Sequence, residues 1–230
     1  MYPSPKFSPV GDSALLVEFG DAIDLDINRK VHAFSNAVEE AKIDGIEECV
    51  PTYASVLVHY DPLKTSYEQM VFALKDLEIK LDEYSARMKR RTIIVPTVYG
   101  GSFGPDLAAV AEYHNLTETE AIRLHSETEY VVYMIGFIAG FPYMGKVPEA
   151  IATPRLETPR LKIPAGSVGI AGNQTGIYPC ESPGGWQIIG RTPRVLFNPY
   201  AQQPTLFQSG DRVKFKRISE NEYQALGGKE

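Results

Sequence analysis

Proline and glycine are crowded into one half of this chain, and that limits its possible folds more than anything else in the sequence. The first 90 residues hold five of the 17 prolines (Pro3, Pro5, Pro9, Pro51, Pro62) and three of the 19 glycines. Ten prolines fall between Pro142 and Pro204, and ten glycines between Gly136 and Gly190. Proline fixes φ near −65° and removes a backbone donor, while glycine opens positive φ, so such a density stops any long helix. The second half must be built from short strands and turns, whereas the first half is free to form helices. A length of 230 residues allows one large domain or two small ones.

The first half alternates strand and helix. Ala14–Phe19 reads as a short strand between Gly11-Asp12 and Gly20-Asp21. Ile27, Val31, Phe34 and Val38 then recur at helical spacing, with Asp24 or Asp26 as N-cap. Tyr53–Tyr60 alternates as a strand with Val56, Val58 and Tyr60 on one face, and Asp61-Pro62 ends it. Tyr67, Val71, Leu74, Leu77 and Leu81 mark a second amphipathic helix capped by Thr65 or Ser66. This β-α-β-α pattern predicts a ferredoxin-like α/β sandwich. The charged run from Ser85 to Arg91 reads as a solvated linker, which sets the expected domains at 1–88 and 89–230.

The second half opens with a strand over Thr92–Val98, then a loop from Gly100 to Asp106 and a helix bearing Leu107, Val110 and Ala111. Thr117 and Glu120 form a capping-box signature for a helix reaching about His125. Tyr130–Ile135, Ser167–Ala171, Trp186–Gly190, Arg194–Phe197 and Arg212–Ile218 are the clearest later strands. No helix separates the late strands, so a β-barrel decorated with two helices is expected rather than a parallel sheet. The fold class is α+β with two domains.

A formal net charge of −6 argues against a nucleic-acid binder. Cys49 and Cys180 lie far apart in no metal-binding pattern, so neither a disulfide framework nor a protein-built metal site is expected. The start, Met1 to Lys6, has no apolar run, and no stretch approaches the roughly 20 apolar residues of a membrane helix. The expected location is the cytoplasm, with no membrane partner.

The information is concentrated between Gly136 and Pro193. In order come Gly136–Gly145 (GFIAGFPYMG), Thr153–Arg160 (TPRLETPR), Ile163–Gly172 (IPAGSVGIAG), Gln174–Pro179 (QTGIYP), Ser182–Trp186 (SPGGW) and Gly190–Pro193 (GRTP). Loops this rich in proline and glycine are rigid, and they display Arg, Gln, Tyr and Trp. With Gly11–Gly20 and Leu124-His125-Ser126, these blocks resemble the family of the 5-oxoprolinase B subunit, also called allophanate hydrolase subunit 1 or the Kip-type histidine kinase inhibitor. One departure is Ala139, where the family commonly has proline. The resemblance implies a cyclophilin-like β-barrel for the C-terminal domain, although prolyl isomerase activity does not follow from a shared fold.

The resemblance further implies a non-autonomous enzyme that opens the lactam of 5-oxoproline to L-glutamate with ATP. An A-type and a C-type partner would complete it, the latter also cyclophilin-like, with magnesium only as the companion of ATP. Coupling a lactam to ATP calls for cations near phosphate and a group to move protons. Arg155, Arg160 and Arg191 fit the first role, and His125 the second. Structural arginines and a satisfied core histidine are the plainer alternatives. Gln174, Tyr178 and Ser182 are candidates to orient a small polar substrate, and Phe141, Pro142, Tyr143 and Trp186 to form a pocket wall or partner surface. Gly184-Gly185 lacks the lysine and helix of a P-loop and reads as a tight turn. Two other roles follow from the same resemblance: inhibition of a sensor histidine kinase, and a carboxyltransferase-type component acting on urea or allophanate.

Overall fold

Asp24 starts the first helix as expected, its carboxylate accepting from the N–H groups of Asp26 and Ile27. The helix, α1, runs Leu25–Ala41 and buries Ile27, Val31, Phe34 and Val38. The computed structural model describes residues 1–78, 81 and 91–228. The chain divides into two compact units, residues 1–89 and 90–230. The predicted linker and the boundary between residues 88 and 89 lie outside the described residues, except for Arg91. That arginine is held to Asp211 by Nε at 3.0 Å.

In the first unit α1 packs on a four-stranded antiparallel sheet, with β1 (Lys6–Val10), β2 (Ala14–Glu18), β3 (Ile46–Pro51) and β4 (Ser55–Tyr60) in the order β1-β2-β4-β3. Leu15 and Val17 of β2 pair in register with Val58 and Val56 of β4, and all four are fully buried. Each such side chain contributes about 1.5–3 kcal/mol by leaving water. The second helix, α2 (Tyr67–Glu78), buries Met70 and Leu74, with Leu81 in the same core.

The simple β-α-β-α reading therefore omitted β1 and β3. Both are edge strands, β1 carrying Pro9 and β3 the adjacent Glu47, Glu48 and a terminal Pro51. Edges tolerate proline and charge, which removes the alternation that signals a strand.

The second unit is a closed barrel of seven strands. Its members are β5 (Thr92–Tyr99), β6 (Glu129–Ile135), β7 (Pro142–Gly145), β9 (Ser167–Ala171), β10 (Gln174–Ile177), β12 (Gln187–Arg191) and β13 (Arg212–Arg217). They close in the order β10-β7-β6-β13-β5-β12-β9, and only β5 and β13 run parallel. A separate ribbon pairs β8 (Arg160–Ile163) with β11 (Ser182–Gly184). Val95, Tyr130, Val132, Val168, Ile170, Ile177, Val213 and Phe215 fill the barrel core.

Two helices, α3 (Leu107–Tyr113) and α4 (Glu118–Glu127), pack on each other and on barrel strands, and a short α5 (Glu220–Ala225) follows β13. The capping box at Thr117 and Glu120 is present, and a second one, Ser219 with Glu222, opens α5. The segment Arg194–Phe197 is not a strand. Only Phe197 forms a bridge, to Thr205, and Val195 is 74% exposed. Pro193 and Pro199 flank it and prevent a continuous ladder. Among the described residues no helix is long and apolar enough to cross a membrane.

Candidate functional site

Three of the proline- and glycine-rich loops, those carrying Phe141, Arg155 and Gly184, meet in the barrel unit, where Phe141 is the hub. Its ring lies 4.7 Å from Tyr143, 5.1 Å from Tyr178 and 5.4 Å from Trp186, centroid to centroid, mostly edge to face. Such pairs add about 0.5–1.5 kcal/mol each beyond burial. Phe141 reaches this position because β10 carries Gly176. A Cβ there would come within 2.8 Å of Phe141 Cζ.

Above these rings opens a cleft lined by Phe137, Tyr143, Arg155, Tyr178, Gly184 and Trp186, enclosing about 420 Å³ of space open to solvent. Phe137 is 70% exposed at the rim and holds φ at +68°, a left-handed conformation unfavourable for a bulky residue. Gly184 leaves room for the floor, since a Cβ would sit 2.3 Å from the Tyr178 hydroxyl and 2.8 Å from Ile163 Cδ1.

Arg155 is the cation of this cleft. Its guanidinium carbon lies 5.9 Å from the Trp186 ring, and among the described residues it has no ion-pair partner. The loop that carries it is pinned on both sides. Gly172 N–H donates to the Thr153 carbonyl at 2.7 Å, Gln187 Nε2 to the Pro154 carbonyl at 2.9 Å, and Leu156 N–H to the Gly185 carbonyl at 2.7 Å. Burial raises the Tyr178 phenol to about 12, against the lowering pull of a Trp186 backbone hydrogen bond and of Arg155. Tyr143 is raised by burial too, with Arg155 opposing. Both phenols stay protonated at neutral pH and can donate. The cleft thus offers a cation, phenol donors and an apolar floor, which suits a small ligand with one anionic group and a flat, weakly polar body.

The other expected residues have different surroundings. Arg160 binds Asp106 through both Nη atoms, at 2.9 and 2.6 Å, so its guanidinium is already matched and the expected free anion-binding role is corrected to a structural one. Arg191 lines a separate cleft and shares no surface with Arg155. His125 is corrected more sharply. It is fully buried, Nδ1 pairs with the Tyr99 hydroxyl at 2.8 Å and Nε2 with Thr175 Oγ1 at 3.0 Å, and desolvation drives it down to about 3. With both nitrogens bonded in the core, it has no route to a substrate proton.

Gln174 sits on β10 opposite Gly145 and Ala171, Ser182 Oγ donates to the Pro183 carbonyl, and Pro142 is buried in β7. None of the three lines the cleft. The three arginines therefore do not share one surface: Arg191 lies apart, while Arg160 stands beside the cleft opposite Gly184 with its charge matched by Asp106, which leaves Arg155 as the cation without an ion-pair partner there among the described residues.

Asp106 is the residue that sequence reasoning passed over. It stands at the N-cap of α3 without making a side-chain cap. Its carboxylate instead takes Arg160 and the Ile188 N–H, the latter at 2.6 Å, and so locks the Arg160 loop to β12. An aspartate before a helix reads as a cap, and no local signal separates the two uses. Among the described residues no group of three His, Cys, Asp or Glu side chains is placed to hold a metal.

The class of the chain is that of a carboxyltransferase-type domain, and a family model carries the assignment. Residues 5–207 match the family model described as carboxyltransferase domain, subdomain C and D. The chain is 45% identical to the B subunit of 5-oxoprolinase from Bacillus subtilis, with 96% of this chain and 95% of that protein aligned. It is 42% identical to the B subunit of 5-oxoprolinase from Haemophilus influenzae, over 90% of this chain and 95% of that one. The solved structure of TTHA0988 superposes with a TM-score of 0.80 at 33% identity, covering 90% of this chain and 40% of that longer chain. Urea amidolyase of Saccharomyces cerevisiae is a more distant relative, 25% identical over 97% of this chain and 14% of its own length. The chain belongs to the family of the 5-oxoprolinase B subunit.

Proposed function

We propose that this chain is one subunit of an ATP-dependent 5-oxoprolinase, acting with A-type and C-type partner proteins to open 5-oxoproline to L-glutamate. The observation that carries the reading is Arg155, a cation without an ion-pair partner among the described residues, set over Trp186 in the aromatic cleft. A guanidinium suits the carboxylate of 5-oxoproline, the flat lactam suits the rings, and a protonated phenol suits its carbonyl oxygen. The cleft is open and supplies no base of its own among its lining residues, which fits a site finished by another polypeptide. ATP and its magnesium are assigned to the complex, because Gly184-Gly185 leads into β12 and not into a phosphate-binding helix.

The test is reconstitution with the A-type and C-type partners and an assay of ATP hydrolysis and glutamate formation dependent on 5-oxoproline. Arg155→Ala is expected to lower turnover per KM by 100-fold or more, about 3 kcal/mol, with Arg155→Lys recovering part of it. Full activity in Arg155→Ala overturns the role of the cleft, and no turnover with all partners present overturns the 5-oxoprolinase reading. The similarity to urea amidolyase supports a second reading, a carboxyltransferase-type role toward urea or allophanate. Turnover of urea with a biotin-bearing partner, and none of 5-oxoproline, would favour it.

A further inference from the structure

A second cleft lies in the barrel unit and shares no lining residue with the aromatic one. Gly166, Pro179, Arg191, Thr192, Arg194 and Tyr223 line it, among others, and it encloses about 830 Å³ of space open to solvent. Among the described residues no aspartate or glutamate lines it. In a chain whose formal net charge is −6, a cleft lined by two arginines and, among the described residues, by no acid is a local reversal of sign.

Neither arginine is matched by a carboxylate among the described residues. Arg191 lies with its guanidinium carbon 5.4 Å from the Phe103 ring, and its Nε is sealed from solvent with no hydrogen-bond partner among the described residues. Arg191 and Arg194 have no ion-pair partner among the described residues. Sealed from solvent, that nitrogen is out of reach of a ligand in the open cleft, so what Arg191 offers there is its charge.

The walls are stiff. Pro164, Pro179 and Pro193 fix their own backbone, and the Arg194 N–H donates to Thr192 Oγ1 at 3.3 Å. Gly166, at φ +80°, passes so close that a Cβ would stand 2.3 Å from the Thr192 carbonyl oxygen and 3.4 Å from Arg191 Cγ. The backbone segments that carry the two arginines therefore have little freedom to move apart.

We propose that this cleft is a binding site for a phosphoryl group, separate from the aromatic cleft. Two guanidinium charges match the charge of about −1.5 to −2 that a phosphoryl monoester carries at pH 7, whereas a carboxylate matches one of them. Planar guanidinium forks also fit phosphate oxygens two at a time. The inference does not depend on the 5-oxoprolinase reading, because it concerns the isolated chain and leaves Arg155 untouched.

The test is a titration of the intact chain with inorganic phosphate, and separately with ATP, at constant ionic strength, read by calorimetry and by ³¹P line broadening. Saturable binding at one site is expected, weakened at least tenfold by Arg194→Ala and abolished by Arg191→Ala, with Arg155→Ala unchanged. Arg194 is exposed, so its variant keeps the test valid should Arg191→Ala fold poorly. Tighter binding of ATP would identify a nucleotide-borne phosphoryl group, and tighter binding of phosphate a free one. Both support the site. Absence of saturable binding, binding that survives the two variants, binding lost in Arg155→Ala, or L-glutamate bound as tightly as phosphate at this cleft would overturn it.

Discussion

His125 is expected to make the barrel unit lose stability as pH falls through the weakly acidic range. Its ordinary value of 6.5 is lowered to about 3 in the folded chain by burial between Tyr99, Thr175, Tyr130 and Phe215. Below pH 6.5 the unfolded chain takes up a proton that the folded chain refuses. The stabilisation is thus complete above about pH 6.5 and is lost progressively as pH falls toward 3. Each pH unit in that window removes about 1.4 kcal/mol, so going from pH 7.5 to 5 removes about 2 kcal/mol.

Trp186 is the only tryptophan and belongs to the barrel unit, so its fluorescence during urea unfolding reports on that unit. With a slope of about 2 kcal/mol per molar urea, the midpoint should fall by about 1 M between pH 7.5 and 5. His125→Gln, which keeps polar atoms but does not titrate, should be less stable at pH 7.5 and markedly flatter over the same range. An equal loss of about 2 kcal/mol in wild type and His125→Gln would refute the argument.

Two further perturbations probe the cleft and its support. Gly184→Ala places a methyl against Tyr178 and Ile163 and should cost about 1–3 kcal/mol by overpacking while depressing turnover of the complex. Gly185→Ala, whose nearest neighbour is 3.6 Å away, should change thermal stability little, and a reversed order in melting temperature would refute the packing assignment. Arg160→Ala should cost about 2–3 kcal/mol and Asp106→Ala about 3–5 kcal/mol, since each leaves a partner unmatched and the second also strands the Ile188 N–H. A double-mutant cycle should return a coupling above about 1 kcal/mol, and simple additivity would deny that the pair locks the loop.

Local patterns carried much of the fold. Asp24 and the Thr117–Glu120 box announced the starts of α1 and α4 because a cap is chemistry between neighbours in sequence. The strands β2, β4, β5, β6, β9 and β13 were legible because at least one face of each is buried. The edge strands β1 and β3 escaped, since an edge does not need apolar alternation. The segment Arg194–Phe197 looked like a strand and is not one, because a strand is defined by a partner and this one meets its neighbour at a single bridge.

In the cleft, Phe141, Tyr143, Arg155, Tyr178 and Trp186 were each visible as residue types in a rigid run, and the structure brings them together. That Arg160 is matched by Asp106 and that His125 is held by Thr175 and Tyr99 depend on partners 54, 50 and 26 positions away along the chain, and that Arg191 faces elsewhere depends on how the barrel closes.

The sequence by itself determined the alternation of strand and helix in the first half, the strand-and-turn second half and the family, all of which rest on spacing, backbone preference and motif order. Only the tertiary structure decided which cations remain available. A guanidinium is free or spent according to whether a carboxylate lies within hydrogen-bond reach, and that distance is set by how the barrel closes, not by neighbours along the chain.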